Sequence, residues 1–292
     1  AGMMAMLRHP QVLQLFGCCL TSQAIWIVSE LCSLGSLREL LDTPNLEISM
    51  EMKLRIALHV AEGMIHLHTQ DPPIIHRDLK SHNILVHEMV SPVSPGKGRT
   101  QQSSRSRSKK VHQPTTHSST SKSKPRRSRA AAHASHSQTT KPQPEKQKPY
   151  LEANIVAKIG DWGSARAALA GSNTMTHSVG TACWMAPEVI KHARASKSSD
   201  VYGFGIVLWE IATRETVYGD LEATQIISQV AYEKLRPPLP GLDICPWQRL
   251  MVECWQENPG KRPSFEMIAV ELEGILSSVT NMSDSDISGL SN

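Results

Sequence analysis

Residues 201–212, VYGFGIVLWEIA, constrain this chain more than any other stretch. As a helix they are apolar nearly all round, and a helix without a polar face must be enclosed by protein on every side. The segment therefore belongs at the centre of a domain, with Ser199 and Asp200 at its start as the expected cap. It is not a membrane span: Glu210 interrupts it, and it is shorter than the roughly 20 apolar residues such a helix needs. The enclosing elements are legible too. Leu54, Ala57, Ala61, Met64 and Ile65 recur at three- and four-residue steps with Lys53, Arg55 and Glu62 between them, which predicts an amphipathic helix from Met52 to Leu67. A short helix is expected from Leu37 to Leu41. Further helical patterns run over Thr224 to Tyr232, Trp247 to Trp255 and Ser264 to Ser277, separated by Pro- and Gly-containing breaks. Strand-like pieces are few and short: Val12 to Leu15, Ile25 to Val28 (read as buried), Ile84 to Val86 and Ile155 to Ile159.

Charge divides the chain. Of 31 basic and 27 acidic residues, Ser91 to Pro149 holds 14 basic residues and one acid, Glu145, a local net of +13. The rest keeps 17 basic and 26 acidic residues, a net of −9. The basic stretch has 13 Ser, six Thr and no Leu, Ile, Phe or Trp. Ordering costs roughly 1–2 kcal/mol per residue in backbone entropy, which such a composition cannot offset by burial, so the stretch is expected to be a disordered insertion. Its runs at residues 103–110 and 124–129 fit a solvated loop first. Nuclear import and docking to an acidic protein or RNA are the sharper readings. The six cysteines (Cys18, Cys19, Cys32, Cys183, Cys245, Cys254) form no C-x-x-C pair and no zinc spacing, which fits buried thiols in a reducing, intracellular and cytoplasmic setting. The opening AGMMAMLRHP lacks the charged and apolar regions of a signal peptide.

Three polar clusters interrupt the apolar pattern: IHRDLKSHNILV over 75–86, KIGDWG over 158–163 and GTACWMAPE over 180–188. A carboxylate, an ammonium and an amide within six positions can handle a hydroxyl proton, a phosphate charge and a metal. In their order (H-R-D-x-K-x-x-N, D-[F/W]-G, A-P-E, then DVYGFG over 200–205 and KRPS over 261–264) they resemble the protein kinases, specifically the tyrosine-kinase-like group of Ser/Thr kinases. The resemblance runs from about Leu7 to Leu276, outside the insertion.

The resemblance implies an α+β, protein-kinase-like fold with a mainly helical C-terminal lobe and a fragmentary β N-terminal lobe. Residues 1–29 would be a remnant of the N-lobe and 30–90 the hinge and first part of the C-lobe. The insertion spans 91–149, the remaining C-lobe 150–278 and a disordered tail 279–292. The implied activity is transfer of the γ-phosphoryl of Mg-ATP to Ser/Thr hydroxyls of protein substrates. Asp78 would be the catalytic-loop acid, Lys80 would steady the phosphoryl group, and Asn83 and Asp161 would hold Mg²⁺. The backbone of Glu30 and Cys32 would pair with adenine beside Ser29 at the gatekeeper position, and Leu85 would form the floor. Arg77 would answer a phosphate on Ser172, Thr174, Thr176 or Ser178, with Thr181 in the same regulatory segment. His76, Trp162, Glu188, Asp200 and Arg262 are structural assignments, with Glu188 and Arg262 an ion pair. The Gly-rich loop, strand Lys and helix Glu of a complete kinase do not occur in this sequence, and counting back from Arg8 puts the Glu one position before Ala1. The expectation is a piece of a longer protein that transfers little phosphate alone. The rival reading is a pseudokinase or scaffold holding partners through the C-lobe and basic loop.

Overall fold

The structure, a computed structural model, describes residues 7–89, 155–161, 166–167, 179–241 and 245–288. The element order is β1 (Leu15–Leu20), β2 (Ile25–Ser29), α1 (Leu37–Asp42), α2 (Met50–His68), β3 (Ile74–Ile75), β4 (Ile84–Glu88), β5 (Ile155–Ile159), β6 (Arg166–Ala167), α3 (Pro187–His192), α4 (Lys197–Thr213), α5 (Ala223–Ser228), α6 (Gln248–Cys254) and α7 (Phe265–Ser288). A small β-rich N-lobe is joined to a helical C-lobe.

α4 is enclosed as its composition requires: every residue from Ser199 to Ala212 is buried. Its cap lies earlier than expected. Ser196 is the N-cap and forms a capping box with Ser199 at the third position, so Asp200 lies inside the first turn and is released for other partners. Two glycines let neighbours approach the helix closely. A Cβ on Gly203 would stand 2.9 Å from the Leu79 carbonyl oxygen, and one on Gly205 would stand 2.9 Å from the Cys254 Cβ. Each costs about 1 kcal/mol of helix propensity relative to Ala; in exchange the loop carrying Asp78 and helix α6 lie directly on α4.

α2 starts at Ser49, whose hydroxyl accepts from the Met52 N–H, and ends in a turn carrying His66 and His68, which suits the negative end of the helix dipole. Its buried face packs against α7 and β5. α7 continues to Ser288, where the sequence reading stopped the helix at Ser277 and placed a disordered tail over 279–292. The expected helix over 224–232 is divided: α5 gives way at Gln229 to a π-helical turn that ends on Lys234 in the left-handed region.

The strands depart further from expectation. β1 begins at Leu15, where the reading ended it; Val12 instead bridges Ile159 at the end of β5. β2 was read as buried, yet all five of its residues are exposed. β1 and β2 form a two-stranded antiparallel ribbon, and no further strand or facing layer covers it among the described residues. An apolar run alone cannot distinguish a covered strand from an uncovered one.

β4 and β5 pair antiparallel from Ile84↔Ile159 to Glu88↔Ile155. The backbone of Leu34 and Gly35 bonds Val86 on one side of this hairpin, and that of Gln11 and Leu13 bonds Ile159 on the other. In chain order the insertion falls between β4 and β5, beyond the Glu88/Ile155 end of the hairpin. That end is four residues, roughly 13 Å, from the end bearing Asn83 and Asp161. The insertion itself lies outside the described residues.

His59 on α2 accepts the Ala157 N–H at Nδ1, 3.4 Å away, which ties α2 to β5. Burial, helped by Arg55, pushes its pKa down from 6.5 to about 4. The neutral ring is the native form, so its contribution is complete above pH 6.5 and is lost as pH falls toward 4, where the unfolded chain takes up the proton first. Thermal midpoints should fall more steeply over that window in wild type than in His59→Asn, whose amide oxygen can accept the same N–H without titrating.

Candidate active site

The loop from β3 to β4 is fixed from below by Asp200. Its Oδ2 accepts the His76 N–H at 2.9 Å and its Oδ1 the Arg77 N–H at 2.9 Å, while His68 Nε2 lies 2.9 Å from Oδ2. Asp200 and His68 are both buried. These bonds hold Arg77 at φ +70°, a left-handed conformation that costs a non-glycine residue about 1–2 kcal/mol. His76 is fully buried, with Nε2 3.0 Å from the Gly160 carbonyl oxygen and Nδ1 accepting the Asp78 N–H at 3.3 Å. One imidazole thus joins the catalytic loop to the end of β5.

Asp78 is oriented through one oxygen. Its Oδ2 accepts from Lys80 Nζ at 2.9 Å and Asn83 Nδ2 at 3.0 Å, and the same Asn83 nitrogen donates to the Asp78 carbonyl at 2.8 Å. Asp78 Oδ1 is buried and has no hydrogen-bond partner among the described residues. A buried carboxylate oxygen without a donor is costly. Lys80 Nζ also donates to Thr181 Oγ1 at 3.0 Å, linking the loop to the 3-10 segment Val179–Trp184. Thr181, grouped with the regulatory residues from sequence, is a hydroxyl partner of Lys80 and is buried.

Asn83 and Asp161 converge through backbone pairing. The Gly160 N–H donates to the Asn83 carbonyl at 2.8 Å, and Asp161 follows with φ +50°, exposed. With its Nδ2 committed to Asp78, Asn83 would present its amide oxygen; together with the Asp161 carboxylate it would make a hard-oxygen donor set that suits Mg²⁺. A Cβ on Gly160 would lie 3.4 Å from both Leu13 Cδ2 and Leu85 Cδ1, so Leu85 packs at this end of the hairpin.

At the connector, Glu30 is engaged by its side chain. Its Oε1 accepts the Gln14 N–H at 2.7 Å, and its Oε2 lies 3.1 Å from Lys158 Nζ, which also donates to the Pro10 carbonyl. The Glu30 N–H donates to the Gln14 carbonyl at 3.0 Å, and Ser29 closes β2 on the exposed ribbon. Burial and Glu30 push the Cys32 thiol up, keeping it a thiol.

Glu188 and Arg262 form a bidentate pair at 2.7 and 2.8 Å, and the arginine also donates to the carbonyls of Gln256 and Ser198. Arg77 is half-buried. Trp162, Ser172, Thr174, Thr176 and Ser178 lie outside the described residues. The sequence reading missed His68, Ser81, Arg38, Trp184 and Glu210 as members of the site's supporting network. Glu210 did carry a signal: it is the single acid within the apolar run 201–212.

Asp78 on the loop between two strands, Asn83 five residues on and Asp161 just past the end of the paired strand are thus brought to one place. The profile of the protein tyrosine and serine/threonine kinase family matches residues 1–118 and 150–272, and the chain belongs to this protein kinase family. It is 33% identical over 278 residues to the probable serine/threonine-protein kinase drkC of Dictyostelium discoideum, covering 94% of this chain and 28% of that protein. It is 32% identical over 276 residues to the dual specificity protein kinase splA of the same organism, over 93% of this chain and 9% of splA. Mitogen-activated protein kinase kinase kinase 10 of Mus musculus is also 32% identical over 276 residues, 94% of this chain and 23% of that protein. The chain therefore spans less than a third of the length of each. The family uses ATP, usually with Mg²⁺, and acts on protein substrates. No helix among the described residues is long and apolar enough to cross a membrane.

Replacing Asp200 by Asn removes one acceptor from a cluster of three buried donors. Chemical denaturation should show Asp200→Asn losing about 1–3 kcal/mol of stability, the cost of an unsatisfied buried polar group, with a matching rise in amide exchange over residues 76–80.

Proposed function

We propose that the protein to which this chain belongs transfers the γ-phosphoryl group of ATP to serine and threonine hydroxyls of proteins. The observation that carries this is Asp78: one carboxylate oxygen is held by Lys80 and Asn83 while the other is buried with no partner among the described residues. An arriving substrate hydroxyl is the donor that this oxygen lacks, and Asp78 would orient it and take its proton as the new P–O bond forms. Lys80, within reach of Asp78 and of Thr181, would steady the transferring group and the substrate side together. Asn83 and Asp161 would hold Mg²⁺, which when bound neutralises charge on the phosphates. Almost no covalent chemistry falls to the chain; positioning and fixed charge supply the rate.

The Lys80–Thr181 contact supports the Ser/Thr assignment, because it occupies the space beside Asp78 with an ammonium and a small hydroxyl. The dual-specificity name of splA makes tyrosine peptides the necessary control. In the full-length protein, Asp78→Asn should lower phosphorylation of a basic Ser/Thr peptide by about 10²-fold or more. The thermal shift produced by Mg-ATP should survive. Unchanged phosphorylation in Asp78→Asn would overturn the catalytic assignment, and a wild type with neither turnover nor a thermal shift would favour a scaffold. Equal rates on Tyr and Ser/Thr peptides would replace the Ser/Thr reading by dual specificity.

A further inference from the structure

The phosphotransfer scheme makes no use of Glu210. Its side chain is 1% exposed, yet three segments distant in sequence converge on it. Ser81 Oγ donates to Oε1 at 2.7 Å, Arg38 Nη1 donates to the same oxygen at 3.2 Å, and the Trp184 indole N–H donates to Oε2 at 2.9 Å. Burial pushes the Glu210 pKa up against these three donors, which pull it down.

We propose that Glu210 is a positioning residue for phosphotransfer, holding the catalytic loop and the 179–184 segment in one register. The proposal rests on the phosphotransfer reading above. Ser81 directly follows Lys80, and Trp184 comes three residues after Thr181. The loop and the segment are therefore joined by two rungs. The outer rung is the single Lys80–Thr181 hydrogen bond, made by a flexible, partly exposed side chain. The inner rung is Ser81–Glu210–Trp184, a short and a rigid side chain joined through a buried carboxylate that three donors hold in place. The Trp184 ring is further fixed by the edge of His82, with centroids 5.6 Å apart at 86°.

Arg38 supplies the countercharge that a buried carboxylate needs. The arginine is anchored in turn by both Asp42 carboxylate oxygens and by the carbonyls of Arg214 and Glu215. Glu210 thus cannot move toward either segment alone. Because α4 also holds Asp200 under His76 and Arg77, the inner rung sets where the Thr181 side of the site stands relative to Asp78.

A network that only stabilised the fold would lower the melting temperature without touching the chemistry of the folded fraction. Misplacing reacting groups by about 1 Å costs up to 10²-fold in rate, so a positioning network has a kinetic signature. The test uses Ser81→Ala and Trp184→Phe in the full-length protein, each deleting one donor, and the double variant. Each single variant should lower kcat on a Ser/Thr peptide by about tenfold, with KM for ATP within about twofold of wild type. The double variant should be no slower than the slower single one, because a rung cut at either end transmits nothing. Losses that multiply in the double variant, or kcat unchanged in both singles, would overturn the proposal. Amide hydrogen exchange gives a readout without turnover: Trp184→Phe should raise exchange over residues 78–84, and Ser81→Ala over 181–186. If each variant loosens only its own segment, the coupling is absent. A wild type that binds Mg-ATP but transfers nothing would instead defeat the proposed function, and the exchange data would still decide the coupling.

Discussion

A buried carboxylate must be surrounded by donors, and α4 carries two of them, Asp200 and Glu210, ten residues or about 15 Å apart along its axis. Each satisfies the requirement with groups from other parts of the chain. Asp200 draws in two backbone N–H groups of the catalytic loop and His68 of α2; Glu210 draws in α1, the residue after Lys80, and Trp184. The apolar remainder of the helix supplies the burial that makes those donors necessary. The same helix is thus both the centre of the core and the datum from which the polar site is measured, and Gly203 lets the loop rest directly on it.

The β4–β5 hairpin supplies the second fixed line. Its pairing puts Asn83 and Asp161 at one end and the attachment of the insertion at the other. Loop-closure entropy grows only logarithmically with length, so a long insertion between paired strands costs little more than a short one. Pairing from Ile84↔Ile159 to Glu88↔Ile155 fixes the end of the hairpin that carries Asn83 and Asp161.

Which parts of this were legible in the sequence follows from the range of the interactions. Helices α2, α4 and α6 were placed to within about four residues because their signal is local periodicity, and β5 was placed at its observed limits for the same reason. The ordered motifs brought out Asp78, Lys80, Asn83 and Asp161 because each sits in a short local pattern of residue types. His68 and Asp200, or Arg38 and Glu210, are separated by more than a hundred residues, and neither member announces its partner. Glu210 was visible only as a flaw in an apolar run. The exposure of β2 was illegible for another reason: Ile25 to Val28 would read the same whether or not a layer covered it.

The strain at the site is tied to this scaffold. Arg77 and Asp161 both adopt left-handed backbone, at a cost of roughly 1–2 kcal/mol each. At Arg77 the cost is offset by its N–H bond to a buried carboxylate, a charged hydrogen bond of about 1.5–3 kcal/mol. At Asp161 the preceding Gly160 is gripped on both sides, its N–H by Asn83 and its carbonyl by His76, whose own N–H is held by Asp200. The two strained residues therefore trace back to a single side chain on α4. Loss of that carboxylate would release both at once, so the backbone conformations of the catalytic loop and of the metal-ligand turn should change together.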